Sequence, residues 1–291
     1  MRKTTLLKNL ILDRKILVMP GAYDATSARI IEKAGFKAVT IGGYPASACL
    51  LGKPDLSLLT LPEMVNHTRN IVEAVDIPVF ADGDTGHGGT LNVMRTVREF
   101  EKAGAAGMFI EDQLFPKRCG HMEGKQVIEV DEMIAKIKAA VDARMDSDFV
   151  IMARTDALGV YGIDDAIERA NKYREAGADL IFVEAPTTKE QMFRITHEIN
   201  APTKAIQIEG GKTPMLTVKE LEEIGYSVVV YPITALYAAA WAVKQVMDEL
   251  MTKGTTINFM DRMIHFHDFN ELMDLTNLRK KESSFYDSLN R

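Results

Sequence analysis

"EKAGFKAVTIGG" (32–43), "EKAGAAGMFIED" (101–112), "REAGADLIFVEA" (174–185) and "EEIGYSVVVYPI" (222–233) are one phrase written four times. Each copy starts on charged residues, passes through a glycine (Gly35, Gly104, Gly177, Gly225) and runs into a short apolar stretch. Glycine closes a helix most cheaply when the chain must turn left-handed after the last turn, so each copy reads as helix, cap, strand.

Before and between these four lie "ILVMPGAYD" (16–24), "PVFADGD" (78–84), "FVIMARTDA" (149–157) and "TKAIQIE" (203–209). The candidate strands are therefore 16–24, 38–43, 78–84, 107–113, 149–157, 180–185, 203–209 and 227–232, mostly continuous apolar runs as in a parallel sheet covered on both faces. Helical stripes occupy the gaps. Thr60, Pro62 and Glu63 form a capping-box start, and Met64, Val65, Thr68, Ile71 and Val72 line one face behind it. Similar stripes run through 91–103, 131–143, 164–176 and 218–224. This alternation, without a glycine-rich phosphate fingerprint at the first strand, predicts a closed (β/α)8 TIM-type barrel rather than an open doubly wound sheet. Residues 1–291 read as one barrel domain with a helical extension from about 236 to 291, packed outside the barrel or reaching a neighbouring subunit.

The chain has 46% hydrophobic and 26% charged residues and a formal charge of −6, so it shows no basic face for a nucleic-acid partner. "MRKTTLLKNLILDRK" lacks the apolar core of a signal peptide, and no later run approaches the roughly 18 apolar residues that span a bilayer. A cytoplasmic protein without a membrane partner is expected. With only Cys49 and Cys119, a disulfide framework or cysteine metal cage is excluded from the reading.

In such a barrel the chemistry lies at the C-terminal strand ends. There the sequence places Gly42 and Gly43, Asp82 and Asp84, Glu111 and Asp112, Arg154 and Asp156, Glu184, and Glu209. So many carboxylates call for a cation, and oxygen ligands suit Mg²⁺ or Mn²⁺. Asp82, Asp84 and Glu111 are the metal candidates; the competing reading is helix capping or pairing with Lys and Arg. "FPKRCGHMEG" (115–124) follows the fourth strand and sets Cys119 among Lys117, Arg118, Gly120 and His121. Neighbouring cations lower a thiol pKa and glycine permits movement, so Cys119 reads as a proton donor, acceptor or nucleophile on a gate. Cys49, beside Ala48 and Leu50, reads as a buried inert cysteine, and His265 and His267 as packing or surface. Arg154 is expected to bind a substrate carboxylate.

"ADGDTGHGG", "IEDQ", "KRCGH", "MARTDA" and "EGGKTP" together resemble the isocitrate lyase and phosphoenolpyruvate mutase superfamily, over roughly residues 10–240. The resemblance implies a Mg²⁺-dependent lyase on a modified barrel, commonly a homotetramer that exchanges its eighth helix between subunits. It implies Asp84 as the principal metal ligand, Asp82 and Glu111 behind metal-bound waters, and Cys119 as general acid. Gly42, Gly43 and Arg154 would hold substrate oxygens, Asp55 and Glu184 would line the site, and the base would be Tyr44, Glu184 or a metal-held water. The substrate implied is a 2-methyl-substituted malate. Ile206, Met122 and Tyr237 stand where the methylisocitrate-cleaving branch tends to carry polar or cationic residues, which favours 2,3-dimethylmalate (pyruvate and propionate) over 2-methylisocitrate (pyruvate and succinate). The same metal site would also serve a carboxyphosphonoenolpyruvate mutase or an oxaloacetate decarboxylase, and a metal- or carboxylate-binding protein on an inactive barrel is the non-enzymatic reading.

Overall fold

The computed structural model describes residues 1–287; residues 288–291 of the expected extension lie outside them. The chain separates into two compact units, one from Met1 to Ala235 and one from Leu236 onward.

In the first unit eight parallel strands follow one another: β1 (Leu17–Pro20), β2 (Val39–Thr40), β3 (Val79–Asp82), β4 (Gly107–Glu111), β5 (Val150–Thr155), β6 (Leu180–Val183), β7 (Lys204–Ile206) and β8 (Val228–Tyr231). They pair as a run β2-β3-β4-β5-β6 and a run β1-β8-β7. Single parallel bridges, Gly21 to Thr40 and Ile181 to Thr203, join the runs at both seams and close the (β/α)8 barrel. The strands are shorter than the apolar runs that announce them. β2 keeps only two residues of 38–43 because Gly42 already caps the next helix, Gly43–Leu51.

The repeated phrase folds as its composition dictates. Gly35, Gly104, Gly177 and Gly225 all have positive φ, and their amides donate to Glu32, Glu101, Arg174 and Glu222 carbonyls at 2.9–3.0 Å. At Gly177, φ is 111° and an added Cβ would come 3.1 Å from Val141. We expect Gly177→Ala to lower the unfolding free energy by about 1–2 kcal/mol, the left-handed penalty of an L-residue, read as a lower urea midpoint at unchanged slope. The helix Leu61–Ala74 starts on the anticipated capping box, with the Thr60 amide donating to Glu63 at 2.7 Å.

Side chains alternate across a strand, so each β-strand serves two cores. Outward residues such as Met108, Ile110, Ile151, Ala153, Ile181 and Val183 pack with the surrounding helices. Inward residues Leu17, Met19, Phe80, Phe109, Val150, Met152, Leu180, Phe182, Ile206, Val228 and Val230 fill the barrel, together with Leu7 and Ile11 of the N-terminal helix Lys3–Ile11. That helix is tied by Lys3 to the Val75 carbonyl and by Thr4 and Thr5 to Asp146 and Asp148, in the loops that enter β3 and β5. It stops the N-terminal end of the barrel. Two residues beyond the apolar layer, the same inward positions become Asp82, Glu111, Arg154 and Glu184, so the strand period that builds the core also aims these groups into one mouth.

The helix Thr234–Lys253, which belongs to the second unit from Leu236 onward, buries none of its side chains and exposes Trp241, Val243, Met247, Leu250 and Met251. His265 and His267 are exposed. No helix of the described residues is long and apolar enough to cross a membrane.

Candidate active site

Two clusters form at the C-terminal mouth. The first centres on Lys117, whose ammonium lies 2.8 Å from Asp55 and 2.7 Å from Asp84. Burial opposes its charge, but Asp84, Glu111, Asp82 and Asp55 outweigh it and hold its pKa well above the ordinary lysine value. Asp82 accepts from the Gly43 amide at 2.6 Å and from the Asp84 amide at 2.8 Å. Burial, aided by the charge of Asp84, raises the Asp82 pKa. Gly43 permits this approach: a Cβ there would stand 3.2 Å from both Asp82 and Lys117. Its amide therefore already serves Asp82, where the sequence suggested a contact to substrate oxygen.

The second cluster centres on Arg154, which binds Asp156 through Nε at 2.8 Å and Nη2 at 3.1 Å, Glu184 at 2.9 Å and Glu111 at 3.2 Å. It is a hub among three carboxylates. Asp112 holds the hub in register by accepting from Thr155, the Asp156 amide and Tyr173 at 2.7, 2.9 and 2.9 Å. Burial beside Asp156 pushes the Asp112 pKa up to about 6. Glu184 also lies 3.2 Å from His121 Nε2. Burial would raise its pKa, yet Arg154 and His121 win and keep the carboxylate well below its usual range. A group so reluctant to take a proton is an anchoring anion and a weak base.

The loop with Cys119 is seated on this second cluster. Gly120 packs so closely that a Cβ would fall 2.4 Å from Arg154 and from Glu184. His121 Nδ1 accepts from the Lys212 amide at 2.9 Å, which puts the ring proton on Nε2, facing Glu184. Lys125 reaches back to the Gly120 carbonyl at 2.6 Å and to Asp156 at 2.9 Å. A cavity of about 400 Å³ adjoins the loop, lined by Gly120, Met122, Lys125, Ala185, Thr187 and Lys212 among others.

Several expectations change. The Cys119 thiol has a raised pKa, not a lowered one, chiefly through burial. The cations of its loop are occupied elsewhere: Lys117 with Asp55 and Asp84, and exposed Arg118 with the Glu123 carbonyl at 3.3 Å. Arg118 therefore stays outside the site, and its backbone amide is held by Gln113 at 3.1 Å. The protonated thiol suits an acid better than a thiolate nucleophile. Cys49 is exposed, not buried, because it sits on the outer face of the helix Gly43–Leu51. Tyr44 is half-buried in the first turn of that helix, with Gly42 as its N-cap. Ile206 ends β7 facing inward, and Glu209 is half-buried with Oε2 lacking a hydrogen-bond partner. Tyr237 belongs to the second unit. Sequence reading passed over Lys125, Lys204 and Lys212; the signal for Lys204 was a lone charge inside an apolar strand run.

Residues 7–251 match the family described as phosphoenolpyruvate phosphomutase. The chain belongs to the phosphoenolpyruvate mutase and isocitrate lyase superfamily. Within this superfamily it is 48% identical over 279 residues to 2,3-dimethylmalate lyase of Eubacterium barkeri, covering 96% of each chain. It is 43% identical to 2-methylisocitrate lyase of Aeropyrum pernix, covering 97% of this chain and 91% of the relative. Among solved structures, a 2,3-dimethylmalate lyase superposes with a TM-score of 0.92 at 32% identity, covering 98% of this chain and 95% of the other. A phosphonopyruvate hydrolase in complex with oxalate and Mg²⁺ superposes at 0.89 with 28% identity, covering 97% and 99%.

Asp82, Asp84 and Glu111 fit a hard cation in one specific respect. Both Glu111 oxygens and Asp84 Oδ1 are buried without a hydrogen bond, with only ion-pair contacts to Arg154 and Lys117, so the mouth holds acceptors whose hydrogen-bonding capacity is unused. The Lys117 contact to Asp84 is an ion pair outside hydrogen-bonding geometry. Among the described residues no three His, Cys, Asp or Glu side chains converge to chelate an ion directly. Few direct ligands and several water-mediated ones are what Mg²⁺ accepts.

Proposed function

We propose that this protein is a Mg²⁺-dependent carbon–carbon lyase that cleaves the C2–C3 bond of 2,3-dimethylmalate to pyruvate and propionate. The observation that carries this reading is the half-buried Cys119, whose thiol pKa is raised by burial and whose neighbour Gly120 is seated on the Arg154–Glu184 pair. Asp84 would hold the ion directly, with Asp82 and Glu111 holding its waters. When bound, the ion supplies a Lewis acid that lowers the pKa of the substrate C2 hydroxyl.

The residues of the chain account for the rest. The hydroxyl proton leaves to a base; Glu184, kept ionised and weakly basic, is unsuited, which leaves Tyr44 beside Gly43 or a water that the ion would hold. The oxygen pair forms the C2 ketone as the C2–C3 bond breaks, and that bond's electrons collect on C3 and its carboxylate as an enolate-like anion. The Arg154 guanidinium, held in place by Asp156, Glu184 and Glu111, provides positive charge beside that anion. The Cys119 thiol then gives its proton to C3, and the loop excludes water while it does so.

Ile206, 8% exposed at the inward end of β7, favours the methyl-bearing substrate, because a buried carboxylate without a partner is costly. The second reading, 2-methylisocitrate lyase, is favoured by Lys125 and Lys212, cations that line the cavity and are paired with Asp156 and Glu123. Pyruvate release from the two substrates in parallel tests the choice. We expect kcat/KM at least about tenfold higher for 2,3-dimethylmalate, and a preference for 2-methylisocitrate would reverse the assignment. We further propose a cytoplasmic homotetramer in which the helical extension that starts at about residue 236 is exchanged between subunits. The exposed apolar side chains of the helix Thr234–Lys253 support this, since contiguous apolar surface of that kind seeks cover.

A further inference from the structure

We propose that Lys204 is a positioning cation beneath the site, which balances the negative charge that a carboxylate substrate brings to Arg154 and so strengthens anion binding. The proposal rests on the reading of the site given above.

Lys204 points into the barrel from β7 and is 5% exposed. Its ammonium lies 3.7 Å from the centre of the Phe182 ring and 5.3 Å from that of Phe109. Those rings occupy the inward positions just before Glu184 and Glu111, so the charge sits one layer below the carboxylates. Lys117, Lys125, Arg154 and Arg169 all have carboxylate partners. For Lys204, the contacts found among the described residues are to the two rings. A buried ammonium without a counter-ion is destabilising, and cation–π contacts return only part of the loss. As packing, the residue is a poor choice; as a charge reserve under an anion site, it has a use.

The groups facing it are Asp82 from β3, Glu111 from β4, Arg154 from β5 and Glu184 just after β6, while β8 contributes only Val228 and Val230 to this layer. Burial is the largest influence and lowers the Lys204 pKa to about 7, with Glu184 pulling it up and Arg154 pushing it down. The ammonium is therefore poised near neutrality. An anion on Arg154 screens the one opposing charge and favours the protonated form, so Lys204 acts through Arg154 and Glu184 without touching substrate. By linkage, anion affinity is fullest below this pKa and declines as pH rises through it.

The test is calorimetric titration of the full chain with oxalate in the presence of Mg²⁺, between about pH 6 and about pH 8, for wild type, Lys204→Met and Lys204→Leu. Melting of the ligand-free proteins is measured beside it. We expect both variants to bind oxalate about tenfold more weakly at the lower pH, to lose the wild-type decline with pH, and to melt at or above the wild-type temperature. Binding in Lys204→Met within about twofold of wild type, with the same pH slope, overturns the proposal and leaves the lyase reading intact. A clear drop in melting temperature in both variants also overturns it, by showing a structural role. Absence of oxalate binding by wild type overturns the reading of the site and this proposal with it.

Discussion

Cys119→Ser is expected to lose turnover by roughly 10²- to 10⁴-fold, the range of a missing general acid, while binding oxalate as wild type does. The thiol is half-buried above Glu184 and Arg154, and burial leaves it protonated across the neutral range. Serine preserves the loop, including the seat of Gly120, and removes only the acidic proton. The pH profile carries the same information. An acid works while it holds its proton, so activity is present below the Cys119 pKa and lost above it. Because that pKa is raised from the ordinary thiol value of 9.0, the alkaline limb should lie above pH 9 and vanish in the serine variant. Undiminished turnover in Cys119→Ser would remove the acid from the scheme.

The second large effect is expected at Asp84. Asp84→Asn should abolish Mg²⁺-dependent turnover, by about 10³-fold or more, with little change in melting temperature. Two observations separate chemistry from stability here. Lys117 keeps its 2.8 Å partner Asp55 when Asp84 loses its charge, so no buried ammonium is stranded. Asp82 keeps the Gly43 and Asp84 amides as donors, so the turn after β3 keeps its shape. Equal activity with and without Mg²⁺ in Asp84→Asn would refute the metal assignment.

The barrel was legible because its signals are local and periodic. Gly35, Gly104, Gly177 and Gly225 mark helix ends through backbone conformation alone, and the apolar runs mark strands. The mouth was legible for the same reason: Asp82, Glu111, Arg154 and Glu184 continue the inward parity of Phe80, Phe109, Met152 and Phe182. Where periodicity ends, so does the legibility. The loop 115–124 has no repeat to say that Lys117 turns inward and Arg118 outward, and its string of cations suggested an acidified thiol. The folded loop reverses that inference by pairing the cations with Asp55, Asp84 and Glu123 and leaving burial to set the thiol. Closure was expected from the alternation, but the division of the pairing into two runs with single bridges at Thr40 and Thr203 was hidden, since the register between strands leaves no local mark in the sequence. Lys204 was overlooked because an apolar strand run absorbs one charge without changing its appearance.

The most direct test of the lyase assignment is to incubate the protein with 2,3-dimethylmalate, with and without Mg²⁺, and follow both carbon skeletons by proton NMR. The expected result is equimolar pyruvate and propionate, formed only when Mg²⁺ is present. Unchanged substrate under both conditions, or pyruvate appearing at the same rate without the ion, would contradict the assignment.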